Sequence, residues 1–416
     1  MPWIALLRTS GAIWGVIPAC AWMWYFTRQP DFLVTNGYWE SATAQATLIG
    51  VIPVTLCAAT GTWEAIRLKR SGLIDTGGGT SERSSLTVAF AQLRVVWCVS
   101  AIFVIWSLIC VSRWASGALG MPDLRVLALL AGMLWAYALL GYAIGWLLPG
   151  LLTVPGVAIG TFLWLSYPAA MEPLWLRQLN GTNLSECCAY DQTLAPRALI
   201  IPALVLLGLV GSALLAIAAR ARRSRLLSVL PLAAATAMAV PLAMPLGFSP
   251  SEKRDISALW CTDGAPRVCV WPEQRNAAEK FQTWAQEGAG RLSMAGVKPP
   301  KTYMPTSSDP TRSDVLRSLV SAVMPASFPD CHKQGVWSGR SAYFPVGAWL
   351  ELTAGANRAE VAKRIADGGK ALSLVDRVRA LPAKDQLNWY QTNHAALTDC
   401  SREPRLDPGA YKDGTS

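Results

Sequence analysis

The sequence predicts a polytopic α-helical membrane protein of about seven spans, N-terminus inside and C-terminus outside, with a C-terminal extracellular α/β domain. Three observations lead there. The 416 residues are 52% hydrophobic and only 15% charged, whereas soluble domains carry about 25% charged residues. Long apolar segments alternate with short polar loops. The basic residues gather in some of these loops and are sparse in the others.

The apolar segments define the expected spans. A helix needs about 20 apolar residues to cross the hydrocarbon core of a bilayer. The break between the fourth and fifth segments rests on Pro149 and Gly150, because about 40 apolar residues are too many for one span. The seven segments cover residues 9–26, 46–66, 95–112, 126–148, 151–167, 199–219 and 226–246.

The distribution of Lys and Arg predicts the orientation. With the N-terminus inside, the inside loops hold ten of these residues, clustered at 67–94 and 220–225, and the outside loops hold five. Cytoplasmic loops carry an excess of Lys and Arg. The bias therefore favours an N-in, C-out protein, and we expect it to be a multi-pass protein of the plasma membrane.

The acidic residues divide the chain into two expected domains. Nine of the 27 Asp and Glu precede residue 250 and eighteen follow it. We expect a transmembrane domain over 1–248 and a disulfide-containing extracellular domain over 249–416. The net charge of +10 does not indicate nucleic-acid binding. The first part carries 15 basic residues, and the excess of Lys and Arg expected in cytoplasmic loops explains them. The tail holds 22 basic and 18 acidic residues, an ordinary mixed surface.

The cysteines indicate an oxidising compartment for the tail. Four of the ten lie inside apolar segments and are typical of small core residues. The other six fall in segments that the charge bias places outside, which suggests disulfides. Six cysteines allow fifteen pairings, and the simplest scheme joins Cys261 to Cys269 and Cys331 to Cys400. Cys187 and Cys188 are left unassigned.

No motif for catalysis, a cofactor or a metal is evident, and we do not expect an enzyme. The glycines at 77–79 lack the GK[ST] ending of a phosphate-binding loop. The four side chains of Cys331, His332, His394 and Cys400 are ligand types that zinc accepts, but the two cysteines are needed for the disulfide scheme.

The acids of the membrane half all fall in loops or at segment ends. Ion-coupled transporters usually keep an ionisable residue within the bilayer, so energy for transport would have to arrive from outside it. Residues 64–72 continue the second segment as a short basic helix. Two interpretations stay open: a positive-inside anchor, or a helix that docks on an ATPase through Glu64, Arg67, Lys69 and Arg70.

Three stretches resemble actinobacterial ABC transporter permease-like proteins. Residues 61–72 (GTWEAIRLKRSG) are similar to the Trp- and Arg-containing end of the second span of these proteins. Residues 261–273, with the core RVCVWPE, resemble the start of their extracellular tails, and residues 381–389 (LPAKDQLNW) resemble a closing helix. The resemblance implies the membrane subunit of an ABC-2-like exporter, paired with a separate ATPase. The seventh span and the long tail depart from the six-span core of that class.

Two functional hypotheses follow. The first is a permease subunit whose partners are a separate ABC ATPase, the lipid bilayer and a second membrane subunit in a homo- or heterodimer. The second is a membrane-anchored extracellular binding or sensory module without transport activity. A physical ATPase partner distinguishes them.

The topology can be tested by thiol labelling of intact cells. A cysteine replacing Ser251 should react with a membrane-impermeant reagent and one replacing Ser71 should not, because the loop bias places them on opposite sides. Labelling is compared with that of the unsubstituted chain. External labelling at position 71 with protection at 251 would contradict the orientation.

Overall fold

The structure, a computed structural model, describes residues 10–29, 37–71, 84–116, 118, 120–219, 222–305, 310–325, 329, 337–364 and 368–411. The chain divides into two compact units, Met1–Arg254 and Asp255–Ser416. The division falls a few residues beyond the expected boundary at 248.

The first unit is helical. Its helices are α1 (Gly11–Phe26), α2 (Trp39–Ile49), α3 (Val51–Arg70), α4 (Ser85–Ser112), α5 (Leu124–Leu147), α6 (Thr153–Ser166), α7 (Pro196–Ala218), α8 (Arg222–Leu227) and α9 (Leu230–Ala243). Single turns of 3-10 helix extend several of them.

The prediction of a helical membrane protein is confirmed. Among the described residues, five helical stretches are long and apolar enough to cross a bilayer. Helices α1 and α6, in the first and fifth predicted segments, have 16 and 14 residues, so the total of seven spans stays a prediction. The five stretches are Trp39–Arg70, Ser85–Ala115, Leu124–Leu147, Pro196–Ala218 and Arg225–Leu246.

The first of these stretches, Trp39–Arg70, begins seven residues before the second predicted segment, because α2 contains buried polar side chains that lower its hydropathy. Thr43 and Thr47 donate hydrogen bonds to the carbonyls of Trp39 and Ala44 within the helix. Gln45 Nε2 donates to the Ser185 carbonyl at 2.7 Å. These bonds satisfy the polar groups inside the unit, as burial requires.

Helices α3 and α5 approach each other at backbone contact. A Cβ on Gly61 would lie 2.1 Å from the Ala138 carbonyl oxygen, and one on Gly141 would lie 2.0 Å from the Ala58 carbonyl oxygen. Thr62 Oγ1, lying between them, donates to the Gly141 carbonyl at 3.0 Å. Small residues permit this close packing, and a hydroxyl adds a hydrogen bond across it, as in membrane helix pairs.

The connection between α6 and α7 folds back into the unit as two 3-10 helices, Leu174–Leu179 and Thr182–Glu186. Asn180 Nδ2 donates to the Trp164 carbonyl at 3.0 Å, and Thr182 Oγ1 donates to the Leu165 carbonyl at 2.8 Å. The segment is held by hydrogen bonds to the end of α6 and is buried although it is polar.

A two-stranded antiparallel sheet lies at the same end of the unit. Strand β1 (Gln192–Leu194) pairs antiparallel with β2 (Ser251–Lys253). Glu40 accepts hydrogen bonds from Tyr38 Oη at 2.8 Å and from Thr193 Oγ1 at 3.0 Å. The start of α2 is thereby tied to β1.

The second unit combines a small sheet with helices. Strand β3 (Trp260–Cys261) runs antiparallel to β4 (Arg267–Val270), which runs parallel to β5 (Thr302–Tyr303). The helices are α10 (Ala278–Met294), α11 (Arg312–Ser321), α12 (Arg340–Ala354), α13 (Arg358–Arg364), α14 (Gly368–Arg379) and α15 (Ala383–Ala396).

A core of its own stabilises the second unit. Trp349 of α12 and Trp389 of α15 are almost fully buried, with ring centroids 6.4 Å apart, and Phe281 of α10 joins the same cluster. Burial raises the pKa of Glu351 even though Arg364 pairs with it. The unit has the continuous hydrophobic core that a domain of this size requires.

Replacing Gly141 with Ala should destabilise the membrane unit. The added methyl group would overlap the Ala58 carbonyl, and overpacking typically costs about 1–3 kcal/mol. The melting temperature of the purified protein, followed by Trp fluorescence, measures the loss.

Gly156→Ala in α6 is the matched control. Nothing lies within 4 Å of a Cβ built there, and Ala favours a helix interior over Gly by about 0.5–1 kcal/mol. It should leave the melting temperature unchanged or raise it. An equal loss in both variants would show that the contact with Ala58 is not the cause.

Candidate docking site at the end of α3

The predicted docking residues lie in the last two turns of α3. The helix continues from the α5 contact to Arg70 without interruption, and Ser71 caps it. Arg67, Lys69 and Arg70 occupy its last turn, where cations interact favourably with the negative end of the helix dipole. The basic end is therefore a continuous extension of a packed helix.

Glu64 differs from the expected exposed, charged face. Its side chain is only 1% exposed and lies beside Ser10 and Gly11 at the start of α1. Arg67 Nη2 lies 2.5 Å from Glu64 Oε2, and the Arg67 side chain is 33% exposed. Because α1 covers this side of α3, the carboxylate is enclosed and Arg67 neutralises it. Glu64 is thus a packing residue of the membrane unit.

Lys69 also turns towards the protein. Its ammonium donates to the Trp146 carbonyl and lies 5.2 Å from the centroid of the Trp146 ring. That ring stacks on Tyr142, one turn earlier in α5, with centroids 6.3 Å apart. A cation over an indole face is attracted to it. Lys69 therefore joins the ends of α3 and α5.

Arg70 is the exposed cation of the four. The structure brings Glu64 against α1 and Lys69 against α5, pairs Arg67 with Glu64, and leaves Arg70 at the surface of the helix end. Trp146 contacts Lys69, and Tyr142 stacks on Trp146, but neither was predicted as a site residue. Trp146 lies at the end of an apolar segment, where aromatic residues usually indicate the membrane interface.

The predicted disulfide residues are in the second unit. A disulfide joins Cys261 to Cys269, across the antiparallel pairing of β3 and β4. Cys400 is disulfide-bonded, while its expected partner Cys331 lies outside the described residues. In the first unit, Cys187 is bonded to Cys188.

The described residues contain no group of three or more His, Cys, Asp or Glu that could hold a metal ion. His394 lies against Tyr390 with ring centroids 5.3 Å apart, and its Nε2 lies 3.1 Å from the Val323 carbonyl oxygen. It is therefore engaged in the core of the second unit. His332, the other histidine, lies outside the described residues.

One family model matches the chain, a domain of unknown function (DUF7224), over residues 268–400. The match falls within the second unit and leaves the membrane unit outside it. No curated protein and no solved structure matches the chain.

Arg67→Gln should destabilise the membrane unit, because it leaves the Glu64 carboxylate buried without its cation. Breaking a buried pair costs about 3–5 kcal/mol. Since Arg67 is one-third exposed, we expect about 1–3 kcal/mol here. Thermal unfolding in detergent measures the change.

The double variant Glu64→Gln with Arg67→Gln should recover most of this loss, because no charge is then buried. Arg70→Gln is the surface control and should change stability by no more than about 0.5 kcal/mol. If the single and double variants are equally unstable, the pair is not what holds α3 at this position.

Proposed function

We propose that the protein is the membrane (permease) subunit of an ABC-type exporter in the plasma membrane and works with a separate ATPase subunit. The observation that carries the proposal is the course of α3. One helix leads from the backbone contact with α5 to an exposed basic end. A partner that binds this end would be connected rigidly to the spans.

The coupling would be mechanical. Lys69 joins the ends of α3 and α5, and Gly61 and Gly141 hold the two helices together a few turns away. A force on Arg70 would move both helices as one body, because closely packed helices deform little. The energy source must be another chain, since the sequence lacks a phosphate-binding loop.

The membrane unit also offers space for an apolar or amphiphilic molecule. A groove of about 730 Å³ lies between α5, α6, α7 and α9, and no charged side chain lines it. Tyr137, Thr161 and Thr236 are among its polar groups. Such apolar walls with a few hydroxyl groups are typical of small-molecule sites. The groove supports an exported substrate of low charge.

One observation favours the second candidate, a membrane-anchored extracellular module. The family match is confined to the second unit, which has its own core and the Cys261–Cys269 disulfide. On this hypothesis the spans only anchor the extracellular domain and bring two copies of it together. The basic end of α3 would then serve only as a positive-inside anchor.

Co-purification from mild detergent distinguishes the two. Arg70→Glu should abolish retention of an ATPase, whereas Arg70→Lys, which keeps the charge, should preserve it. Arg70 is a better choice than Arg67, because reversing Arg67 would place a second carboxylate beside Glu64 and disturb the fold.

Arg197→Glu is the control for charge reversal elsewhere, since Arg197 is exposed at the start of α7. Thiol labelling checks that the topology of each variant is intact. Wild-type retention of the ATPase by Arg70→Glu would make this docking site wrong. If no ATPase co-purifies with the wild-type chain, the anchored module becomes the better hypothesis.

A further inference from the structure

Among the described residues of the membrane unit, one buried cation has no counterion. Arg177 lies in the 3-10 helix Leu174–Leu179 and is only 5% exposed. Within the part of the chain that the structure describes, its guanidinium forms no ion pair or hydrogen bond, and Nε is buried without a partner. Buried charges are normally paired, because desolvation is costly. The observation points to an anion supplied from outside the chain.

The surroundings hold Arg177 in a fixed position. Its guanidinium carbon lies 4.3 Å from the centroid of the Phe248 ring, a cation–π contact that leaves the edges of the guanidinium fork available. The next residue, Gln178, donates to the carbonyls of Gly247 and Phe248 at 3.1 and 3.4 Å. Asn183 Nδ2 also donates to the Phe248 carbonyl at 3.3 Å. The backbone that carries the ring is therefore fixed by two amide side chains.

The local surface is apolar as well as cationic. Phe248 is 52% exposed and Met244, in the 3-10 turn that ends α9, is 58% exposed. Towards the interior of the unit, Trp175 and Leu176 pack against a small core that includes Ala243. A buried guanidinium against the half-exposed ring of Phe248, just beyond the end of a membrane-spanning stretch, fits a molecule with an anionic group next to hydrocarbon.

We propose that Arg177 binds the phosphate group of a membrane phospholipid. A guanidinium fork matches two phosphate oxygens with two parallel hydrogen bonds, and the phosphate would supply the missing negative charge. The acyl chains of the same lipid would cover Phe248 and Met244. A free phosphate ion would neutralise the charge but leave these apolar surfaces exposed.

Titration of the delipidated full-length protein with phosphatidylglycerol, followed by native mass spectrometry, tests the site. Arg177→Gln should weaken binding by at least about tenfold, the loss expected for one charge-assisted pair of hydrogen bonds. Arg177→Lys should lie between this variant and the wild type, because it keeps the charge but not the fork. Arg197→Gln, which removes an exposed cation, should bind as the wild type does.

Two further probes identify the source of the phosphate. Diacylglycerol with the same acyl chains should bind the wild type no better than it binds Arg177→Gln, and excess inorganic phosphate should not displace the phospholipid. Displacement by inorganic phosphate would show a site for soluble anions and overturn the assignment to a lipid. Wild-type affinity in Arg177→Gln would overturn the site itself. If that variant does not fold, Arg177→Lys decides: wild-type affinity there would overturn the proposed pairing of the guanidinium fork with the phosphate.

Discussion

The backbone contact between α3 and α5 is the constraint on which the membrane unit depends. Gly61 and Gly141 place each helix against a carbonyl of the other, and Thr62 adds a hydrogen bond between them. Side chains larger than hydrogen at these glycines would separate the axes. The same separation would pull Lys69 away from Trp146, so the geometry of the basic end is set about two turns away from it.

In a second general feature of the membrane unit, buried polar side chains form hydrogen bonds or ion pairs with nearby groups of the same unit. The hydroxyls of α2 bond to carbonyls of their own helix, and Asn180 and Thr182 bond to the end of α6. Glu64 is neutralised three residues later by Arg67. Arg177 departs from this pattern among the cations that the structure describes as buried. This exception is informative, because a buried charge that has no partner among the described residues is the basis for proposing an external anion.

Hydropathy predicted much of the helical architecture. Uninterrupted apolar segments gave the positions of α4, α5 and α7 to within about a turn, apart from the earlier start of α4, because nothing in their composition competes with the membrane signal. The start of α2 was missed, since Thr43, Gln45 and Thr47 read as polar until their internal hydrogen bonds are seen. The Cys261–Cys269 pair was predictable because only seven residues, with a turn among them, lie between the two cysteines.

The candidate site was predictable only as a position along the chain. Charge clustering located residues 64–70, but whether a side chain faces inward depends on the helices packed around α3, and no local pattern encodes the approach of α1 to Glu64 or of Trp146 to Lys69. Arg177 escaped notice for a related reason. In the sequence it is one cation in a long loop, and its burial results from the fold-back of that loop against α9 and Phe248.

Arg67 and Lys69 are in different surroundings before and after the membrane unit folds. During insertion the chain is not yet packed, and both cations are free to act on the orientation of the emerging helices. After folding, Arg67 pairs with the Glu64 carboxylate, and Lys69 contacts the indole ring and the backbone carbonyl of Trp146. Of the three cations in this last turn, Arg70 is the one classed as exposed. On the predicted orientation, the residues that direct insertion of this helix are also the ones that hold its end in the folded unit.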